Sequence, residues 1–238
     1  MNLGNFRTVL LFVSFIASIG IRAEIPFKPL EDRPVVAEET SQLDFIFTSS
    51  KNAHNAVRPS PDSGAQHRAI ALEVAAELEN FATNHVDSAW SAPARLFLAN
   101  GFKAHASYSN AMTHYAEAWA TTKNSTEISG QRMADQASGS LAKLLALTGR
   151  INELDALEAD AKESKRGVAG GDWQWAREMR AWAKKHPTDA YKCGLHVLDQ
   201  LGRLTQAGQF KSKDIVETES SLNGFTAADL VRKARKRA

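Results

Sequence analysis

The stretch from Thr188 to Leu201, TDAYKCGLHVLDQL, holds the single cysteine of a 238-residue chain, Cys193, with Gly194 directly after it. A thiol that opens a helix gains from the helix dipole, which favours the thiolate, the nucleophilic form. Amide cleavage needs more: an imidazole to take the thiol proton and pass it to the leaving amine, an Asn or Asp to orient that imidazole, and an oxyanion donor. His196 lies three residues further along the same stretch, and no histidine follows it. Cys193, Val197, Leu201 and Leu204 fall at helical spacings of four, four and three, and free cysteine is among the most buried residue types. The residues favour packing: no catalytic residue is assigned, and Cys193 is the one alternative.

Other chemistry is sparse. The seven histidines, at positions 54, 67, 85, 105, 114, 186 and 196, include no pair at i, i+4 with the intervening glutamate of a zinc-protease helix, so no metal site is expected. The chain has no GxSxG elbow, phosphate loop or GxGxxG turn, and no cofactor is expected. Trp90, Trp119, Trp173, Trp175 and Trp182 read as packing, with Trp175 the expected exposed one because Trp173 and Trp175 cannot share a helix face. The tail VRKARKRA carries five bases in eight residues and reads as a solvated, fraying end.

The first residues read as an export signal. Arg7 supplies positive charge, Val9 to Ile21 is apolar, and Ala23 offers a small residue for cleavage before Glu24. The apolar run is short for a bilayer span. Removing residues 1–23 takes away Arg7 and Arg22, leaving 27 bases against 27 acids, a neutral chain without the basic excess of a nucleic-acid binder. One cysteine cannot form an internal disulfide, so an exported chain of this kind must be held by its core, which suits a bacterial periplasm or secretion.

Residues 24–64 contain prolines at 26, 29, 34, 59 and 61 and no sustained period, and are expected to form an extended spacer. LDFIF, Leu43 to Phe47, is a segment able to dock on the folded part as a short strand or helical turn. From Gln66 the pattern turns helical: Ile70, Val74, Leu78 and Phe81 form one stripe backed by Ala71, Ala75 and Ala82. Further stripes follow, interrupted at residues 85–93, 105–110, 123–130, 147–150, 165–172 and 186–189, with Gly149 and Gly171 able to take positive φ. No stretch alternates at strand period, so the expected class is all-α, built of antiparallel helical hairpins.

In LANGFKAHASYSNAMTHYAEAW, Leu98, Ala99 and Phe102 precede Ala111, Tyr115 and Ala118 on the next helix; a second copy runs through Leu141, Ala142, Leu145, Gly149, Leu154 and Ala161. This spacing resembles the tetratricopeptide repeat, in which small residues at a helix crossing let two antiparallel helices approach. Ala99 and Ala142 lie 43 residues apart, longer than the family's period, and the usual first-helix tryptophan is Arg95 or Ser138 while the second-helix aromatic is Glu158 in the second copy. The resemblance implies a stack of hairpins over residues 65–186. Beyond it, residues 187–238 resemble the front part of the double-glycine, bacteriocin-processing class of papain-like cysteine peptidases: YKCGLHVLDQL is followed by NGFTAADL, while the family's downstream histidine is missing.

These readings give an exported helical-repeat scaffold, periplasmic or extracellular, that binds another protein or peptide. The rival is a truncated or degenerate cysteine peptidase with Cys193 as former nucleophile; no nucleic acid is expected, and no membrane span once the signal is removed. Sequencing of the exported chain's N-terminus should find Glu24 first, and a chain that retains Met1 would replace a cleaved signal by an anchor.

Overall fold

The computed structural model describes residues 25–166, 168, 170–186, 190 and 227–235; Cys193, Val197, Leu201 and Leu204 and the export signal lie outside them. The helices are α1 (Ala37–Ala56), α2 (Ser63–Asn84), α3 (Ser91–Ala104), α4 (Tyr108–Thr122), α5 (Ile128–Leu147), α6 (Ile151–Glu163), α7 (Gly171–Lys185) and α8 (Ala227–Arg235). No strand occurs among the described residues, and the class is all-α. The chain divides inside α5 into two compact units, residues up to 141 with 164–166, and 142–163 with 167 onward.

In the first unit, α1 to α4 run up and down. His54 meets His67 at one end of the α1–α2 pair, and Glu39 meets His85 and Ser88 at the other. Ser91 and Arg95 reach back to the Ala82 carbonyl, which sets α3 against the end of α2. Asn100 with Tyr115 and Phe102 with His114 pair α3 and α4 in the same antiparallel sense. The core between them is Leu43 and Ile46 of α1, Val74, Leu78, Phe81 and Ala82 of α2, and Trp90, Ala94 and Leu98, with Phe27, Phe47 and Phe97 packed beside it. Ring centroids in that aromatic group lie 5.6 to 6.1 Å apart, mostly edge to face, the arrangement the ring quadrupole favours.

An extended spacer over residues 24–64 does not form: α1 occupies its centre, with Leu43 fully buried and Ile46 nearly so. The five prolines bracket this helix rather than interrupt it, since none lies between Pro34 and Pro59. Glu38 and Glu39 sit in its first turn, where the dipole favours acids. Only Leu43, Ile46 and Ser50 of its twenty residues are buried, a stripe too short to stand out as a period. The segment before it is also docked: Leu30 N–H donates to the Ala89 carbonyl at 2.8 Å, and Asp32 accepts from the Ser125 hydroxyl at 2.7 Å. A Cβ at Gly130 would collide with that Ser125 side chain, so the start of α5 needs the bare backbone there.

Two turns share one geometry. Ala106 and Gly149, 43 residues apart, both adopt positive φ, 56° and 76°. The Ser107 N–H bonds the Phe102 carbonyl and the Ala106 N–H that of Lys103; 43 residues on, Arg150 bonds Leu145 and Gly149 bonds Ala146. Ala111 and Leu154 then donate to Ser107 and Arg150, opening α4 and α6. Each is a Schellman ending, in which a left-handed residue lets the next N–H groups cap the preceding helix. Gly171 does not need positive φ and opens α7; among the described residues Lys165 is also left-handed.

The turn geometry fixes the sign of two substitutions. Gly149→Ala should lower stability by about 1 kcal/mol, because Cβ clashes in the left-handed region, whereas Ala106→Gly should leave it unchanged or raise it. Denaturant unfolding of both variants checks this; equal losses would mean that the two turns are not equivalent.

Candidate functional site

The repeat-packing positions are interior. Ala99, Ala111, Tyr115, Ala118, Ala142 and Ala161 have no accessible surface, Leu98, Leu141, Leu145 and Leu154 are buried, and Phe102 is half-buried. Arg95 and Ser138, which stand where the resembled repeat has tryptophan, are buried too, as is Glu158 in place of the aromatic. Burying a charge costs several kcal/mol unless it is paired, so Arg95 and Glu158 lead directly to the polar constellations.

Arg95 on α3 donates to the Ala82 carbonyl at 3.0 Å and pairs with Glu117 on α4. One turn before Glu117, the His114 ring is almost fully buried and lies parallel to Phe102, centroids 5.5 Å apart. Its Nδ1 is 3.3 Å from Glu117 and its Nε2 4.0 Å from Glu79 on α2. Beside it the Tyr115 hydroxyl donates to Asn100 Oδ1 at 2.6 Å. Three helices thus meet at one arginine, one imidazole and two carboxylates that reach solvent. Burial holds His114 below its ordinary value of 6.5, with Arg95 adding to the effect, and this outweighs the opposing pull of Glu117 and Glu79. The result is a neutral imidazole at pH 7, buried against Phe102 between the two carboxylates.

A second grouping has the residue types of a hydrolase triad but not its wiring. The Glu39 carboxylate accepts from the Ser88 hydroxyl at 2.6 Å and contacts His85 Nδ1 at 3.4 Å with its other oxygen. Ser88 therefore donates its hydrogen bond to the carboxylate, and no imidazole is placed to activate it. The hydroxyl also accepts from the Trp90 N–H at 3.0 Å, and the Trp90 indole donates to Thr40 at 3.2 Å. This is a clamp holding the first turn of α1 on the α2–α3 turn.

In the second unit Glu158 contacts Lys162, Arg177 and Arg180 at 3.0 to 3.2 Å, and Asp155 pairs with Arg180, which sets α6 and α7 antiparallel. Burial raises the Glu158 carboxyl, but the bonds and charges of Lys162 and Arg180 win, and it lies below the usual carboxylate value. Trp175 is half-buried under Lys143, whose Nζ is 5.7 Å from the ring, so the more exposed tryptophan of α7 is Trp182 rather than Trp175; Trp173 is buried. Among the described residues, no group of three or more His, Cys, Asp and Glu is placed to hold a metal ion, and no helix is long and apolar enough to cross a membrane.

Glu79, His114 and Glu117 carry no motif that sequence reading recognises. The one signal was Arg95, a charge inside the apolar run APARLFLANG, which demands a buried partner without saying where in the chain it lies. No protein-family model matches the chain, and no curated protein and no solved structure is detectably similar to it.

The shifts set the direction of the pH response. His54, His105 and His114 all lie below 6.5, so the unfolded chain binds more protons than the folded one just below that pH, and their contribution, complete above it, is lost as pH falls. Glu158 adds a further loss below its ordinary value of 4.5. Melting temperature should therefore fall from pH 7.5 to pH 5. Glu117→Ala, which strands Arg95, should cost about 1 to 3 kcal/mol, reduced from a fully buried pair because Glu117 is partly exposed, while Arg95→Met should cost less. Urea titrations of the two variants measure the difference, and a larger loss in Arg95→Met would contradict the pairing.

Proposed function

We propose that this chain is an exported helical-hairpin scaffold that binds another protein or peptide. The observation that carries the reading is the recurrence at 43 residues of one turn geometry, with small residues at matching interior positions, Ala99 with Ala142 and Ala118 with Ala161. Stacked hairpins of this kind present extended surfaces rather than enclosed pockets, which suits recognition of a polypeptide. The polar contacts support the same reading, since Ser88 fastens α1 through Glu39 and Arg95 joins α2, α3 and α4. Export to the periplasm or beyond rests on the N-terminal pattern of Arg7, an apolar run and Ala23. Tetratricopeptide-like organisation rests on the residue pattern and on the paired turns.

The test places a photo-reactive residue at Glu79 or Ala116, both exposed on hairpin helices. A scaffold should give a discrete cross-linked polypeptide in envelope extract, and that polypeptide, once purified, should rebind saturably. The competing outcome is chemical: cleavage of double-glycine leader peptides that disappears in Cys193→Ser would replace the scaffold by a cysteine peptidase. We expect no cleavage by either protein, slow reaction of Cys193 with iodoacetamide in the native chain, and a lower melting point for Cys193→Ser.

A further inference from the structure

The end of the α1–α2 hairpin opposite the Glu39 clamp is closed by two histidines. His54 in the last turn of α1 and His67 in the second turn of α2 face each other with their Nδ1 atoms 2.8 Å apart, rings stacked at 5.0 Å and 25°. We propose that this pair is a pH-sensitive clasp, which closes the loop end of the hairpin at neutral pH and releases it on acidification.

Two ring nitrogens at that distance share one proton: one Nδ1 donates and the other is bare. The Nε2 of His54 is buried without a hydrogen-bond partner, so the tautomer that avoids an orphaned N–H puts the His54 proton on Nδ1. His67 then accepts at Nδ1 and carries its own proton on Nε2. A further proton has two destinations. On His67 Nδ1 it sets two N–H groups head to head and ends the contact. On His54 Nε2 it creates a cation whose new N–H has no acceptor in a buried position. Both work against the closed state.

The surroundings do not offset this. Burial first, and then the His67 ring that faces it from α2, hold His54 below its ordinary value. Burial, with Arg68 of α2 adding to it, likewise lowers His105 at the end of α3. On α1 itself the nearest ionisable side chain in sequence is Lys51, three residues before His54, and no carboxylate contributes to the His54 shift. Because the folded state binds the proton less well, the clasp's contribution is complete above about 6.5 and lost below it. At the other end of α1 the Glu39 carboxylate is held by the Ser88 hydroxyl, a contact that does not depend on an imidazole. Acid thus frees one end of the hairpin while the other stays fastened, and the edge helix of the unit becomes responsive to external pH.

The test compares hydrogen exchange, corrected for intrinsic pH dependence, at pH 7.5 and pH 5 in the full chain. Protection of residues 51–70 should fall several-fold more than that of α6, which carries no histidine, in the wild type. In the double variant His54→Gln with His67→Gln, whose amides can still bond across the seam but do not titrate, the excess loss should vanish. A wild type whose two segments respond alike, or a variant with the same excess loss, overturns the clasp. Should the double variant not fold, NMR titration of the wild type decides: His54 should titrate as its ring-to-ring contacts with His67 disappear, and a His54 titration with those contacts kept would refute it.

Discussion

Leu43, Leu78 and Phe81 have no accessible surface, and a row of antiparallel helices reaches that state only when the apolar stripe of each helix is covered on both sides. The stripe Val74, Leu78, Phe81 of α2 is one layer of such a row; α3 covers one flank and α1 the other. Without α1, several large side chains would lie open, each worth roughly 1.5 to 3 kcal/mol when buried. The rest of the first unit follows from this requirement. The Glu39 clamp sets where α1 begins, the histidine pair sets where it ends, and the docked stretch from Ile25 to Arg33 fills the aromatic gap with Phe27.

Polar groups in this unit serve the same end. Arg95 would be costly alone in an apolar layer, yet it joins the last turn of α2 to α4 through the Ala82 carbonyl and Glu117, and so fixes which helices can be neighbours. His114 completes the arrangement by stacking on Phe102. Glu158 does the equivalent in the second unit, at the position 43 residues after Tyr115. The interior slot that holds an aromatic in one hairpin holds a paired carboxylate in the other, a substitution tolerated because Arg177, Arg180 and Lys162 arrive with it.

What was legible in the sequence was whatever repeats at helical period over several turns. The stripe from Ile70 to Phe81 and the α3–α4 hairpin meet that condition, and Gly149 announced its own turn. The helix α1 did not, because three buried residues among twenty leave no period and the flanking prolines suggest a linker. Ala106 hid the matching turn, since alanine carries no signal for positive φ. The constellation around His114 joins residues from position 79 to position 117, and pairing at that separation is set by tertiary packing alone. Trp175 and Trp182 were exchanged for a similar reason: periodicity says that Trp173 and Trp175 differ in exposure, but the cover that Lys143 gives Trp175 comes from another helix.

The account stands on α1 being part of the core rather than an appendage to it. Denaturant unfolding of the Leu43→Ala chain, followed by tryptophan fluorescence, tests this most directly. A buried leucine removed from a shared core should lower the unfolding free energy by about 2 to 5 kcal/mol, in the transition of the unit that also holds α2 to α4. A loss below about 0.5 kcal/mol in the unit that holds α2 to α4 would make α1 dispensable and contradict the account.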